Sequence, residues 1–254
     1  MKNRKMASIL NIFSLAAALL VNFLATSLPL NNLTTGEISD SFDIYFVPAG
    51  YAFSIWGVIY LGLLAFAVFQ ALPKQLVDER LAKIDAWFML SNLANALWLV
   101  CFHYRQFILA LVFMGILLIS LINIFKRLEI GKRKMTAAWK WAVEIPFSIY
   151  FGWITVATIA NTTQVLDFVG WDGFGISEEI WFLIVTIMIA VISALMSFNR
   201  RAFEYVLVLD WALVGIAAKF PQVPLVAYSA LGGALIITII DMIALVISSK
   251  PKTT

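Results

Sequence analysis

QFILALVFMGILLISLINIF, residues Gln106–Phe125, is a stretch of twenty residues without an ionisable side chain. A helix needs roughly 20 such residues to cross a hydrocarbon core about 30 Å thick. The segment that follows, KRLEIGKRK at residues 126–134, has five basic side chains among nine. An apolar run followed by a basic segment is typical of a membrane-spanning helix that ends on the cytoplasmic side.

Seven further runs of similar character flank this one. Only 13% of the residues are charged, about half the share of a soluble domain, and the mean hydropathy is +0.93. We therefore predict an all-α fold, a polytopic transmembrane helix bundle of about eight spans. The other predicted spans are Ala7–Leu30, Tyr45–Leu72, Ile84–Tyr104, Ala142–Leu166, Ile180–Phe198, Phe203–Phe220 and Leu225–Ser248.

The distribution of basic residues predicts the orientation of these spans. Sixteen of the eighteen Lys and Arg residues fall in the terminal and connecting segments on one side, and only Arg105 and Lys219 fall on the other. Positively charged segments stay in the cytoplasm, which predicts a multi-pass protein of the cell membrane with both termini cytoplasmic. The basic charge therefore follows the topology, and a nucleic-acid partner is not needed to explain it.

Two of the predicted spans allow a different interpretation. The Phe203–Phe220 run is short and contains Asp210, and if it does not span, the C-terminus moves to the other side of the membrane. The first run follows a basic start and resembles a signal peptide. Its apolar part is long enough to span, however, so we expect a retained helix.

Reactive side chains are scarce. The chain has one cysteine, Cys101, and one histidine, His103, and no nucleophile motif, phosphate-binding loop or metal-ligand cluster. We therefore predict no catalytic residues, no metal, no cofactor and no enzymatic activity.

Tryptophans and asparagines inside the predicted spans indicate a candidate site. Indole prefers the membrane interface, which does not explain Trp56, Trp98, Trp153 and Trp211. The predicted helix directions place the first three in the outer half of the bilayer, together with Asn95 and Asn161. Aromatic walls with a few amide donors suit a flat apolar ligand with polar edges. Helix–helix packing is the alternative, because buried Asn also bonds across helices.

The residues around these positions resemble the TspO/MBR family, that is, the translocator protein or tryptophan-rich sensory protein family. The matching motifs extend over about residues 45 to 165, and three further spans follow them. The motifs are Phe53-x2-Trp56-x3-Tyr60 after Pro48, Asn95-x2-Trp98-x3-Phe102, and Trp153-x3-Ala157-x3-Asn161 after Pro146.

This resemblance implies a fold, a function and a set of site residues. Residues 1–166 would form a TspO-like five-helix region and residues 167–254 an additional three-helix region, joined in one integrated domain. The protein would be a membrane binding or sensory protein for a tetrapyrrole, a sterol-like molecule or another flat hydrophobic ligand, and could also transport it. A porphyrin such as haem would be a ligand rather than a cofactor. The residues implied to line or support the pocket are Trp56, Tyr60, Asn95, Trp98, Trp153, Ala157 and Asn161.

Acidic residues inside the last spans suggest a different function. A charge in hydrocarbon costs at least about 2.5–3.5 kcal/mol at the centre, so such residues are functional candidates. Asp210 and Asp241 could couple transport of a small molecule to a proton or another cation. A purely structural partner protein is the third hypothesis. Membrane lipids are an expected partner. A second copy of the chain is a candidate partner through small residues such as Gly215 or Ser229-x3-Gly233, although such residues serve packing within one chain more often.

Overall fold

The computed structural model describes residues 2–27 and 30–249, and every regular element within them is a helix. Within these two ranges, eight long helices are joined by short connections, three of which contain a short α-helix. In chain order the α-helices are α1 (Lys2–Ser27), α2 (Thr35–Asp40), α3 (Ile55–Ala71), α4 (Glu79–Ala82), α5 (Asp85–His103), α6 (Phe107–Arg127), α7 (Ala137–Trp139), α8 (Ile145–Phe168), α9 (Glu178–Arg200), α10 (Phe203–Lys219) and α11 (Pro224–Ser249).

The outer surface of the long helices is largely apolar. Leu61 is 71% exposed, and Val68 and Phe13 are each 68% exposed. Exposing so much apolar surface to water is unfavourable, whereas its contact with lipid chains is not. Among the residues that the structure describes, seven helices are long and apolar enough to cross a membrane. The chain is thus a multi-pass helical membrane protein, as predicted.

The predicted span Phe203–Phe220 is not among these seven and corresponds to α10, which has 17 residues and lies at the short end of the range for a spanning helix. At its start, Glu204 lies 3.8 Å from Lys140, in the segment before α8. At its end, Lys219 pairs with Asp40, in the connection between α1 and α3. Because these two connections lie at opposite ends of the bundle, α10 runs from one end to the other.

The second predicted span begins later than expected. We predicted a helix from Tyr45, but a 3₁₀ helix begins at Gly50 and α3 begins only at Ile55. Pro48 has no N–H to donate, and the N–H of Ala49 donates to the carbonyl oxygen of Gly215 at 3.0 Å. Residues 45–49 are therefore held by a contact with α10 rather than by helical hydrogen bonds.

Glycines allow two close approaches between helices. A Cβ at Gly152 of α8 would lie 2.8 Å from the Tyr205 carbonyl oxygen of α10. A Cβ at Gly233 of α11 would lie 2.5 Å from Cγ2 of Thr186 on α9. Gly233, which we considered for self-association, thus serves packing within the chain, while dimer formation stays a prediction.

A buried polar cluster connects α1 to α3 and α5. Asn11 donates to Asp85 at 2.7 Å and to Gln70 at 2.9 Å, and Arg4 forms an ion pair with Asp85 at 3.1 Å. All four residues are more than 90% buried. Since each partner lies on a different helix from Asn11 and Arg4, the cluster fixes the position of α1 against the bundle.

Candidate ligand site

The tryptophans selected from the sequence come together between α3, α5 and α8. The rings of Trp56 and Trp98 are stacked with centroids 6.2 Å apart, and the Tyr60 ring also stacks on Trp56, with centroids 5.4 Å apart. Trp153 meets Trp56 edge-on at 6.5 Å. Trp98 and Trp153 are both almost fully buried. The four rings therefore form one aromatic cluster, to which each of the three helices contributes.

The two predicted asparagines are already bonded within the protein. Asn161 accepts a hydrogen bond from the Trp98 indole at 2.8 Å and donates to the carbonyl oxygen of Ala157 at 3.0 Å. Asn95 accepts from Asn22 of α1 at 2.8 Å. Asn22 in turn accepts from the Tyr60 hydroxyl. These carboxamides therefore orient the aromatic rings.

The larger of two cavities beside this cluster has a volume of about 350 Å³. Ligand cavities commonly measure about 300–1,000 Å³, so this one is at the small end of that range. Most of its lining is apolar or aromatic, with a few hydroxyl and amide groups. The lining residues are Asn22, Thr34, Thr35, Gly36, Gly50, Phe53, Trp56, Tyr60, Trp98 and Leu99.

The smaller cavity has a volume of about 30 Å³, enough for one or two water molecules or for a single polar group. It shares Thr35, Phe53, Trp56 and Trp98 with the larger cavity, so the two are adjacent parts of one site. Its other lining residues come mainly from α8. They are Ser39, Val47, Pro48, Phe102, Trp153, Val156, Ala157, Ala160, Asn161 and Gln164.

Two buried polar atoms belong to residues lining the smaller cavity. Neither Nε1 of Trp153 nor Oε1 of Gln164 has a hydrogen-bond partner among residues 2–27 and 30–249. Both residues are only 2% exposed. An unpaired buried polar group costs about 1–3 kcal/mol, which a bound donor and acceptor would recover. Two residues of the small cavity's lining thus carry one unpaired donor and one unpaired acceptor.

The short helix α2 closes one side of the site. Thr35 lines both cavities and lies 3.0 Å from Nε2 of His103, whose Nδ1 lies 3.1 Å from the Leu30 carbonyl oxygen. At the start of α2, the Glu37 carboxylate accepts from the backbone N–H and the hydroxyl of Thr34, which lowers the pKa of Glu37. The contact with His103 therefore holds α2 against α5, over the aromatic cluster, and the cap fixes the start of α2.

The remaining candidate residues occupy different places. Asn95 supports the site without lining either cavity, whereas Trp56, Tyr60, Trp98, Trp153, Ala157 and Asn161 line at least one. Asp210 and Asp241 lie apart from both cavities and bond to Thr238 and Ser197 respectively.

Several residues of the site were not predicted from the sequence. Asn22 and Gln164 were absent from the prediction, although each is a polar residue within an apolar run and could have been noticed on that basis. Thr34, Thr35 and Gly36 lie in a connection that carries no such signal, and only the fold places them over the cavity.

Comparison with known protein families gives a match over most of the chain. A family model described as TSPO-like protein matches residues 8–243, which includes parts of all eight long helices. No curated protein and no solved structure matches the chain.

Proposed function

Because the chain belongs to the TSPO-like protein family, we propose that it is a membrane-embedded binding protein for a flat hydrophobic ligand with a polar end. The observation that carries this proposal is the cavity of about 350 Å³ against the stacked rings of Trp56, Tyr60 and Trp98. Ring faces favour flat aromatic ligands by offset stacking, and the apolar lining favours a hydrophobic one. The proposal contains no chemical step on the ligand.

The size and polarity of the site support a compact ligand. The cavity lies at the small end of the range for drug-sized molecules, so a system of a few fused rings fits more readily than a complete tetrapyrrole or a sterol. The unpaired Trp153 donor and Gln164 acceptor suit a ligand that carries both an acceptor and a donor, such as a carboxamide.

A binding experiment with three probes tests this proposal. Purified protein in nanodiscs is titrated with naphthalene carboxamide, with naphthalene and with protoporphyrin, and ligand absorbance or heat is followed. We expect saturable binding of the carboxamide at one site, weakened at least tenfold by Trp56→Ala. Trp141→Ala serves as the control, because Trp141 is 71% exposed and outside both cavities. Equal affinity of the Trp56→Ala variant and the unmodified protein would refute the site.

The variant Trp153→Phe tests whether the indole N–H binds the polar end of the ligand. This variant keeps an aromatic ring but loses the unpaired indole N–H. A hydrogen bond contributes about 1 kcal/mol, so carboxamide binding should weaken about fivefold while naphthalene binding stays the same. An equal loss for both probes would mean that the ring, and not the N–H, contacts the ligand.

We propose the cell membrane as the location, with both termini in the cytoplasm. The basic segment around residues 126–134 and the basic N-terminal segment support this orientation. Transport of the bound ligand is a related hypothesis. It predicts ligand uptake into proteoliposomes that is lost in the same variants that lose binding.

Coupled transport is a second proposal, favoured by the acidic residues of α10 and α11. Asp210 accepts from Thr238 at 3.0 Å and Asp241 accepts from Ser197 at 2.6 Å. The second carboxylate oxygen of Asp210 is buried without a partner among the residues described. Acidic groups within spanning helices are commonly part of proton or cation pathways.

The variant Asp210→Asn tests the second proposal, because it removes the charge and keeps an oxygen that can accept from Thr238. Proteoliposomes that contain a pH-sensitive dye are given a gradient of naphthalene carboxamide. Coupled transport predicts a change in internal pH that disappears in Asp210→Asn and persists in Asp172→Asn, an exposed control. The same change in internal pH with Asp210→Asn would rule out Asp210 as the coupling residue.

A further inference from the structure

We infer that α10, which belongs to the C-terminal three helices, is a supporting wall of the ligand site, and that Gly215 and Trp211 set the position of its lining segment. This inference rests on the proposed function, since it concerns the affinity of the same site. The lining segment comprises residues 45–53, the last part of the connection between α1 and α3.

The lining segment is held by α10 through two hydrogen bonds to the backbone of the segment, one from the backbone and one from a side chain of α10. The carbonyl oxygen of Gly215 accepts from the N–H of Ala49 at 3.0 Å, and the Trp211 indole donates to the carbonyl oxygen of Ala52 at 3.0 Å. The Trp211 ring also meets Tyr51 edge-on at 5.3 Å. Non-helical backbone at the membrane needs such partners inside the protein, because lipid offers none.

Gly215 also determines how closely the lining segment approaches α10. A Cβ at position 215 would lie 2.9 Å from Cβ of Pro48 and 3.2 Å from Cβ of Ala52. Both distances are shorter than ordinary contact between carbon atoms, about 3.5–4.0 Å. Pro48 has a rigid ring, so any side chain at 215 forces the segment or α10 to move.

A displacement of the lining segment would change the shape of both cavities directly. Pro48 and Val47 line the smaller cavity, and Phe53 lines both. Phe53 meets Trp153 edge-on with centroids 5.8 Å apart. A movement of the segment therefore changes the shape of the cavity and the distance between Phe53 and Trp153.

The C-terminal end of α10 contacts α2, the short helix that closes one side of the site. Lys219 pairs with Asp40, the last residue of α2, and Phe220 meets Tyr45 edge-on at 5.3 Å. An ion pair between partly exposed groups contributes little by itself. Together with the two hydrogen bonds to the lining segment, however, it places α10 against both α2 and that segment, so α10 supports the site although it lines neither cavity.

The variant Gly215→Ala, compared with Gly232→Ala, tests this inference. Both replace a helical glycine and gain similar helix propensity, but no atom lies within 4 Å of a Cβ at Gly232. Binding of naphthalene carboxamide should weaken at least fivefold in Gly215→Ala and stay unchanged in Gly232→Ala. Trp211→Phe, which keeps the ring and removes the donor to Ala52, should weaken binding in the same direction.

Hydrogen exchange provides a readout that needs no ligand. The amides of residues 45–53 should exchange at least tenfold faster in Gly215→Ala than in the unmodified protein, with helix content by circular dichroism unchanged. Unchanged binding together with unchanged exchange in Gly215→Ala would overturn the inference. If the unmodified protein binds neither carboxamide nor protoporphyrin, the proposed function fails, and the exchange rates alone decide whether α10 holds the segment.

Discussion

At the residue scale, two tryptophans of the same cluster have different roles. The Trp98 indole donates to Asn161 at 2.8 Å, and its ring stacks on Trp56 and Phe102. The Trp153 indole has no acceptor among the residues described. A satisfied donor fixes its ring, whereas an unsatisfied one at a cavity is available to a ligand. Trp98 thus serves mainly to hold the site together, whereas we propose that Trp153 binds the polar end of a ligand.

We predict that Trp98→Phe destabilises the protein by about 1–2 kcal/mol, because it leaves the Asn161 oxygen without its donor. Thermal unfolding in detergent, followed by circular dichroism, measures the effect as a lower midpoint temperature. Trp141→Phe is the control, since Trp141 is 71% exposed. Equal midpoints for the two variants would show that the bond to Asn161 contributes nothing to stability.

At the element scale, α1 depends on polar contacts as well as apolar ones. Its N-terminal half is tied to α3 and α5 by the cluster of Arg4, Asn11, Gln70 and Asp85. Buried charges are stable only when paired, so each partner in the cluster depends on the others. The sequence predicted α1 as an apolar span, but it carried no indication of which helices these polar residues would meet.

We predict that Asp85→Ala destabilises the protein by about 3 kcal/mol, because it leaves the buried Arg4 guanidinium without its counter-ion. The double variant Arg4→Leu with Asp85→Leu should recover much of this loss, since no charge is then buried. Chemical unfolding in mixed micelles measures all three proteins.

The control for the α1 cluster is Glu129→Ala, which breaks the exposed pair of Glu129 and Arg133. Exposed pairs contribute about 0–1 kcal/mol, so its effect should be small. A loss in Asp85→Ala no larger than that in Glu129→Ala would mean that the α1 cluster is not stabilising.

At the scale of the whole molecule, the helices alternate in direction and α10 completes that alternation. The ends of α10 contact connections on opposite sides of the bundle, through Lys140 at one end and Asp40 at the other. The segments around Arg133 and Asp172 should therefore lie on opposite sides of the membrane.

We predict that these two segments are labelled from opposite sides. Single cysteines are placed at 133 and 172 in a Cys101→Ala background and treated with a membrane-impermeant maleimide. Both positions are exposed in the structure. The cysteine at 172 should react in intact cells and that at 133 only after permeabilisation, because basic segments stay in the cytoplasm. Labelling of both in intact cells would exclude the eight-span topology.

The local pattern of the sequence was sufficient to predict the long helices and to identify a membrane protein. The reason is that the length of an apolar run and the placement of charge are properties of a single segment. The start of α3 was predicted wrongly, since Ala49 takes its partner from Gly215, far along the chain. The assembly of Trp56, Trp98 and Trp153 could be anticipated from their depth in the bilayer and from the family resemblance.

The sequence by itself determined that this chain forms spanning helices, and which end of each carries positive charge. Only the tertiary structure decided which polar atoms are satisfied, that α2 covers the aromatic cluster, and that α10 supports the lining segment. The reason is physical: burial in lipid depends on the composition of a single segment, whereas a hydrogen bond or a cavity depends on atoms from several helices meeting within a few ångströms.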